Sequence, residues 1–289
     1  MHFSFAKAAD FMVEHEYRVG RHVSTAGGIS NSFINAESVG CNTMQIFISS
    51  PRIWDVPDIN AAGIELFRSS ASEHDIIPVF VHMPYLPNLA SPDSNIYKKS
   101  VDALIKISKL CDELGIGYLI THLGSHKGNG KEKGIRNVIN AISTAIQATE
   151  HVNILMEDQA GHANSVGADI DDIKDIYSGI RSKRVGICLD TCHLFAAGYD
   201  IRDHKVLDKM DRTLGFVNVK CLHLNDSLSG LGSFKDRHER IGSGAIGMDG
   251  FKDFFSYGKL RGIPIIMETA QPSSTAEAKE ITTVRKLIG

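Results

Sequence analysis

The feature that most constrains this chain is the alternation of short apolar runs with longer stretches of helical period. Eight runs have the length and side chains of strands: residues 17–23, 43–48, 78–82, 117–122, 153–157, 185–190, 219–224 and 264–268. Between them lie helical stretches, among them 29–39, 58–74, 94–114, 131–150, 169–181 and 203–214. The clearest, SNIYKKSVDALIKISKLCDELG, has Ser94 as its expected N-cap and Gly115 as the residue past its end. Strands alternating with helices predict a parallel α/β sheet. Eight strands are the number that closes a (β/α)8 TIM barrel; an open doubly wound sheet is the alternative. No Pro/Gly/Ser-rich linker divides the 289 residues, so the expectation is one TIM-barrel domain over 1–289, with 1–16 as an extension of unknown role before the first strand.

Polar residues then fall where a barrel gathers them. The third run ends in His82, the fourth in His122, the fifth in Glu157, the sixth in Asp190 and the eighth in Glu268, and the seventh carries His223 near its end. In a barrel these C-terminal ends converge on one face, where active sites sit. Three imidazoles and three carboxylates meeting there need a cation among them, and a divalent metal is the economical answer. Two loops add donors: Asp190-x-x-His193 past the sixth run and Asp236-x-His238 past the seventh. Residues two apart in an extended loop point the same way and can grip one ion. The nine candidates are five His, two Asp and two Glu. That is too many for one zinc at about four ligands each and suits three ions sharing a bridging carboxylate.

A lone histidine is more often a hydrogen-bonded core or surface residue than a ligand. His22, His74, His126, His151, His162 and His204 therefore stay outside the set. Cys188 and Cys192 flank Asp190 and are read as buried, inert thiols. The five cysteines, odd in number and never spaced C-x-x-C, suit reduced thiols in an intracellular protein, cytoplasmic in a prokaryote. No apolar stretch approaches the roughly 20 residues that span a bilayer, and acidic residues interrupt the start too early for a signal peptide. A formal charge of −3 shows no basic excess that would announce nucleic acid.

The segments ICLDTCHLFAAGYD and HLNDSLSGLGSFKDRHERIGSGAIG closely resemble two signatures of endonuclease IV, the zinc-dependent apurinic/apyrimidinic (AP) endonuclease family. LMEDQAGHANSVG is a looser version of a third, and GRHVSTAGGISNSFINAESVG is similar to the family's first βα unit; the resemblance runs from about 18 to 270. It implies a TIM barrel with three zinc ions, with Mn2+ an alternative in some sites. His82, His122 and Glu157 would hold the first ion. Glu157, Asp190, His223 and Glu268 would hold the second, and His193, Asp236 and His238 the third. Glu157, bridging two ions, is the residue assigned to catalysis. FISSPRIWDVP and HMPYLPNLASP resemble the family's DNA-reading loops and imply that Arg52, Trp54, Tyr85 and Leu86 meet the DNA. An aromatic or apolar wedge with an arginine can enter a base stack and fill the gap left by a displaced nucleotide. Two departures touch the surroundings of the donors and no donor itself. Asp158-Gln159 stand where relatives more often have Asn and a small residue, and His162 stands where Gln is usual.

The activity this implies is a DNA-repair hydrolase of base excision repair. It would cut duplex DNA 5′ to abasic sites, leaving a 3′-hydroxyl and a 5′-deoxyribose phosphate, clear blocked 3′ ends, and act as a monomer without a membrane. Three Zn2+ bring six positive charges and would turn −3 into +3, so a phosphate meets a locally positive pocket without a basic surface. Two other functions fit part of the pattern. A sugar isomerase or epimerase on a related barrel also carries metal on strand ends, but needs neither the wedge loops nor the Asp236/His238 pair. A binding protein for damaged DNA with structural metals needs no water at them.

Overall fold

The computed structural model describes residues 17–289. The N-terminal extension expected over 1–16 lies outside the described residues. Along the chain run β1 (Val19–His22), α1 (Asn31–Ser38), β2 (Thr43–Ile46), α2 (Ala61–Glu73), β3 (Val79–His82), α3 (Ser94–Leu114), β4 (Tyr118–His122), α4 (Lys131–Gln147), β5 (Asn153–Glu157), α5 (Ile170–Gly179) and β6 (Val185–Asp190). They are followed by α6 (Thr191–Ala197), α7 (His204–Leu214), β7 (Val219–His223), β8 (Asp226–Ser227), β9 (His238–Glu239), α8 (Gly247–Ser256), β10 (Ile265–Met267) and α9 (Ser274–Ile288). Eight strands close a barrel in the order β1-β10-β7-β6-β5-β4-β3-β2, every neighbouring pair parallel. β8 and β9 form a separate antiparallel pair inside the long loop after β7.

The closed barrel excludes the open sheet, and each expected strand appears, 153–157 and 185–190 with the expected bounds and the other six with trimmed ends. Ile265–Met267 stops one residue before Glu268, which therefore sits just beyond the strand. Ser94 is not the N-cap of α3 but its first residue. Asp93 takes the cap, its carboxylate accepting the N–H groups of Asn95 at 2.8 Å and Ile96 at 3.0 Å. Gly115 ends that helix in the left-handed region at φ 76°, as expected. The turn after Asp190 is a helix, α6, which Asp190 itself caps by accepting the N–H groups of Cys192 and His193. Gly198 closes it at φ 100°.

The pleat explains what stands at the barrel mouth. Side chains two apart on a strand share a face. Phe80, Ile120, Leu155, Cys188, Cys221 and Ile266 form the apolar plug of the barrel interior. Two residues further along their strands come His82, His122, Glu157, Asp190, His223 and Glu268. The strand-end donors are thus the next inward-facing level above that plug. The intervening residues, such as Val81, Leu119, Ile154, Met156, Ile187 and Leu222, face outward into the larger core under the helices. β1 and β2 approach so closely that a Cβ on Gly20 would stand 1.9 Å from the Thr43 carbonyl oxygen.

Candidate metal centre

The nine candidate donors converge on the barrel mouth, and all nine side chains end in titratable atoms. His82, Glu157, Asp190, His193 and His223 are buried, and His122, Asp236, His238 and Glu268 are partly exposed toward the mouth. Glu157, with no exposed surface, lies at the middle. Its Oε2 is 2.9 Å from His82 Nε2 and 3.0 Å from His122 Nε2. Its Oε1 is 2.8 Å from His223 Nδ1, which also stands 3.4 Å from Glu268 Oε2 and 3.9 Å from Asp190 Oδ2. On the other side, Asp236 faces His193 Nε2 at 3.4 Å and His238 Nε2 at 3.3 Å, and Asp190 Oδ2 is 3.5 Å from His238.

Three groups able to hold an ion result, the donor atoms of each within 4.8 Å of one another: His82–His122–Glu157, Glu157–Asp190–His223–Glu268 and His193–Asp236–His238. Atoms bonded at about 2.0–2.1 Å to one tetrahedral ion stand roughly 3.3 Å apart, close to these separations. Three imidazoles are anchored on one nitrogen and present the other to the cluster. His82 Nδ1 meets the Met83 carbonyl at 2.7 Å, His193 Nδ1 the Asp158 carbonyl at 3.0 Å, and His223 Nε2 the Gln45 Oε1 at 2.8 Å. Such anchoring fixes ring orientation at metal sites. His238 Nε2 is buried without a hydrogen-bond partner, a costly arrangement that a metal bond would relieve. The donor chemistry and these orphaned and anchored nitrogens fit divalent metal.

Electrostatics points the same way. Burial alone would raise the Glu157 carboxyl, but His122 and His223 outweigh it and hold it well below the usual range. Burial likewise works against Asp236, which His193 and His238 hold low. Glu268 is lowered to about 2 against its burial, chiefly by His223. Burial disfavours the charged His193 and His223, yet Asp190 and the neighbouring carboxylates raise the first, and Cys188, Glu268 and Glu157 the second, well above an ordinary histidine. Positive charge is therefore demanded at this spot, and protons supply it when metal does not.

Cys188 and Cys221 lie with His223, and Cys192 with Asp190 and His238, within ligand distance. Burial pushes the Cys188 thiol well up and the Cys192 thiol to about 12, which disfavours the thiolate form that a metal ligand needs. His22 stays outside every group. Burial lowers it to about 4, and Gln45 Nε2 meets its Nδ1 at 3.0 Å.

Arg52 and Trp54 stand exposed on the loop between β2 and α2, and Tyr85 and Leu86 on the loop between β3 and α3. The Tyr85 N–H donates to the Pro51 carbonyl at 3.1 Å, which ties the loops together. The Tyr85 ring lies 6.0 Å from the His122 ring and 6.1 Å from the His82 ring, over the first donor group.

Three polar residues that sequence reasoning passed over complete the surroundings. Gln45 bridges His22, His223 and Glu268, donating to Glu268 Oε1 at 2.6 Å. Asn225 donates to Asp190 Oδ2 at 2.7 Å and accepts the Glu268 N–H at 2.9 Å. Asp226, wholly buried, accepts the N–H groups of Ser227, Gly242, Gly244, Ile246 and Gly247, pinning the glycine-rich turn after His238. Gln45 carried one usable signal: it stands at the inward position near the end of β2 where other strands place donors.

A family model described as xylose isomerase-like TIM barrel matches residues 33–287. A protein of Methanoculleus marisnigri named probable endonuclease 4 is 45% identical over 278 residues, covering 94% of this chain and 99% of that protein. One of the same name from Cenarchaeum symbiosum is 43% identical over 279 residues, covering 94% and 100%. The crystal structure of endonuclease IV from Thermus thermophilus superposes with a TM-score of 0.84 at 32% identity, covering 94% of this chain and 98% of that one. A D-tagatose 3-epimerase-like protein shares the fold, with a TM-score of 0.73 at 18% identity over 94% of this chain and 98% of that one.

Proposed function

The chain belongs to the endonuclease IV family of xylose isomerase-like TIM barrels, and from that premise we propose that it is an AP endonuclease of DNA base excision repair. The reaction is hydrolysis of the phosphodiester 5′ to an abasic site in duplex DNA, leaving a 3′-hydroxyl and a 5′-deoxyribose phosphate. Blocking groups at 3′ ends are a second substrate class. The observation that most supports this reading is the set of three adjoining donor groups at the barrel mouth, two of them sharing the buried Glu157.

His82, His122 and Glu157 would hold one zinc. Glu157, Asp190, His223 and Glu268 would hold a second, and His193, Asp236 and His238 a third. Zinc bound there supplies a water whose pKa falls to about 7 and positive charge for a phosphate in its transition state. The chain's own residues do the positioning. Gln45 and Asn225 fix the Glu268 and Asp190 carboxylates. The carbonyls of Met83 and Asp158 turn two imidazoles inward. A cavity of ≈ 360 Å3 bordered by Glu268, His22, Phe47 and Tyr85 gives a displaced sugar phosphate room beside the donors. Arg52, Trp54, Tyr85 and Leu86, exposed on two linked loops, wedge into the stack at the lesion. Among the described residues no helix is long and apolar enough to cross a membrane, and an intracellular site of action suits the substrate.

The test is incubation of zinc-loaded protein with a duplex carrying one tetrahydrofuran abasic analogue. A single nick 5′ to the analogue is expected, with the undamaged duplex intact. An uncut strand, with metal content confirmed, would overturn the enzyme reading and leave a damage-binding protein. Turnover of a ketose instead would favour the epimerase chemistry found elsewhere on this fold.

A further inference from the structure

A second cavity, of ≈ 320 Å3, lies outside the three donor groups, bordered by Gly161, His162, Ser165, Tyr199 and Phe234. It sits where three segments leaving the centre converge: the chain four residues past Glu157, the end of the helix that carries His193, and the loop two residues before Asp236. Phe234 is its distinctive member. It is a non-glycine residue in the left-handed region, at φ 56°, a conformation that costs free energy and persists only where the surroundings impose it. The imposition is visible. The Phe234 N–H donates to the Ala196 carbonyl at 2.9 Å, and the Gly232 N–H to the Phe195 carbonyl at 3.0 Å. Strain relieved by burying the ring would need no further account, but the residue is 54% exposed. One edge of the ring is seated on Gly161, where an added Cβ would stand 2.5 Å from Phe234 Cδ1; the rest looks outward. Lys235 and Arg237 flank the nearby Asp236, so the segment that carries the ring also carries two cations.

We propose that Phe234 and the cavity beside it form a subsite for one unstacked nucleobase of the DNA, its face on the phenyl ring and its edge toward His162 and Ser165. This rests on abasic duplex DNA being the substrate. An anchored, exposed aromatic ring suits a base, because every base has a π-face and stacking tolerates sequence. The cavity is at the lower end of the usual ligand pocket, about 300–1,000 Å3, which is room for one base. A duplex with a wedge in it offers two sources: the unpaired base opposite the lesion and a base flanking it.

Single-turnover cleavage of a labelled lesion strand by zinc-loaded full-length protein distinguishes them. With normal bases everywhere but the lesion, Phe234→Ala should raise the half-saturating enzyme concentration about 5- to 150-fold. The maximal rate and zinc content should stay within about twofold, and Phe234→Tyr should restore binding. The same comparison is then made on duplexes with a propanediol spacer opposite the lesion, or in place of either flanking nucleotide. At the position whose base occupies the subsite, the wild type loses that factor and Phe234→Ala loses nothing more. Unchanged half-saturation in Phe234→Ala, or a loss equal on all spacer duplexes, overturns the subsite. A wild type that cuts no lesion strand at all brings down the substrate reading instead, and the subsite with it.

Discussion

Glu157 is the residue on which the centre turns, because both of its oxygens face imidazoles and it is wholly buried. Replacing it with Gln should harm zinc retention and cleavage more than removing any one histidine, since a neutral amide abandons two donor groups together. His238 sits at the other extreme, at the mouth, facing Asp190 and Asp236 across the third group. His238→Ala should release one zinc equivalent of three, measured by elemental analysis. Losing one preorganised charge contact typically costs about 10²–10³ in rate, so cleavage should fall by at least that much while lesion binding falls less. Full cleavage with two zincs would remove the third group from the mechanism. Of these residues, the histidines and carboxylates were legible in the sequence because each stands at a strand end or in a tight x-spacing. Gln45 was not, because an amide carries no titration or ligand signature and its role exists only through partners such as His223, 178 positions away.

At the scale of elements, the strands place the candidate donors and the proposed function assigns the loops to the substrate, and the two can be perturbed separately. Changing Arg52, Tyr85 and Leu86 together to Ala should weaken binding to lesion DNA while leaving zinc content unchanged. Stacking contacts are worth roughly 1–3 kcal/mol each, so the combined loss should exceed about tenfold in affinity. Unaltered affinity would make these loops mere rim packing. The barrel wall answers to a different test. Gly20→Ala pushes a Cβ into the Thr43 carbonyl between β1 and β2, and overpacking of this kind costs about 1–3 kcal/mol or more. A lowered denaturation midpoint in urea is the expected reading; an unchanged one would mean the wall yields freely. Strand positions were legible because short apolar runs bounded by turn residues are a local signal. The short helix α6 was missed because it is too short for periodicity to show, and it forms on the cap supplied by Asp190.

For the whole molecule, the balance of charge at the mouth couples metal to protons. In the metal-free protein His193 and His223 are raised well above the ordinary value. Their contribution to stability is therefore complete below about pH 6.5 and is lost as pH rises through their folded values. Glu157, Asp236 and Glu268 are lowered. They contribute fully above about pH 4 and lose that contribution as pH falls through their folded values. Zinc requires neutral imidazole, so it must displace the protons. Adding zinc to metal-free protein at pH 7 should release about two protons or more, read by calorimetry in buffers of different ionisation heat, and should raise the unfolding temperature. Binding with no proton release would contradict the assigned donors. The sequence by itself determined the barrel and its ring of donors. Both follow from local rules: alternating apolar runs and helical stretches make the βα units, and a polar side chain at the inward-facing position near a parallel strand's C-terminal end stands at the common mouth. Only the tertiary structure decided which nitrogen of each imidazole faces inward, how Asn225 and Asp226 lock the loops, and that Phe234 is held strained and exposed beside them. These depend on hydrogen bonds between groups distant in the chain, and such partners exist only after the barrel has closed.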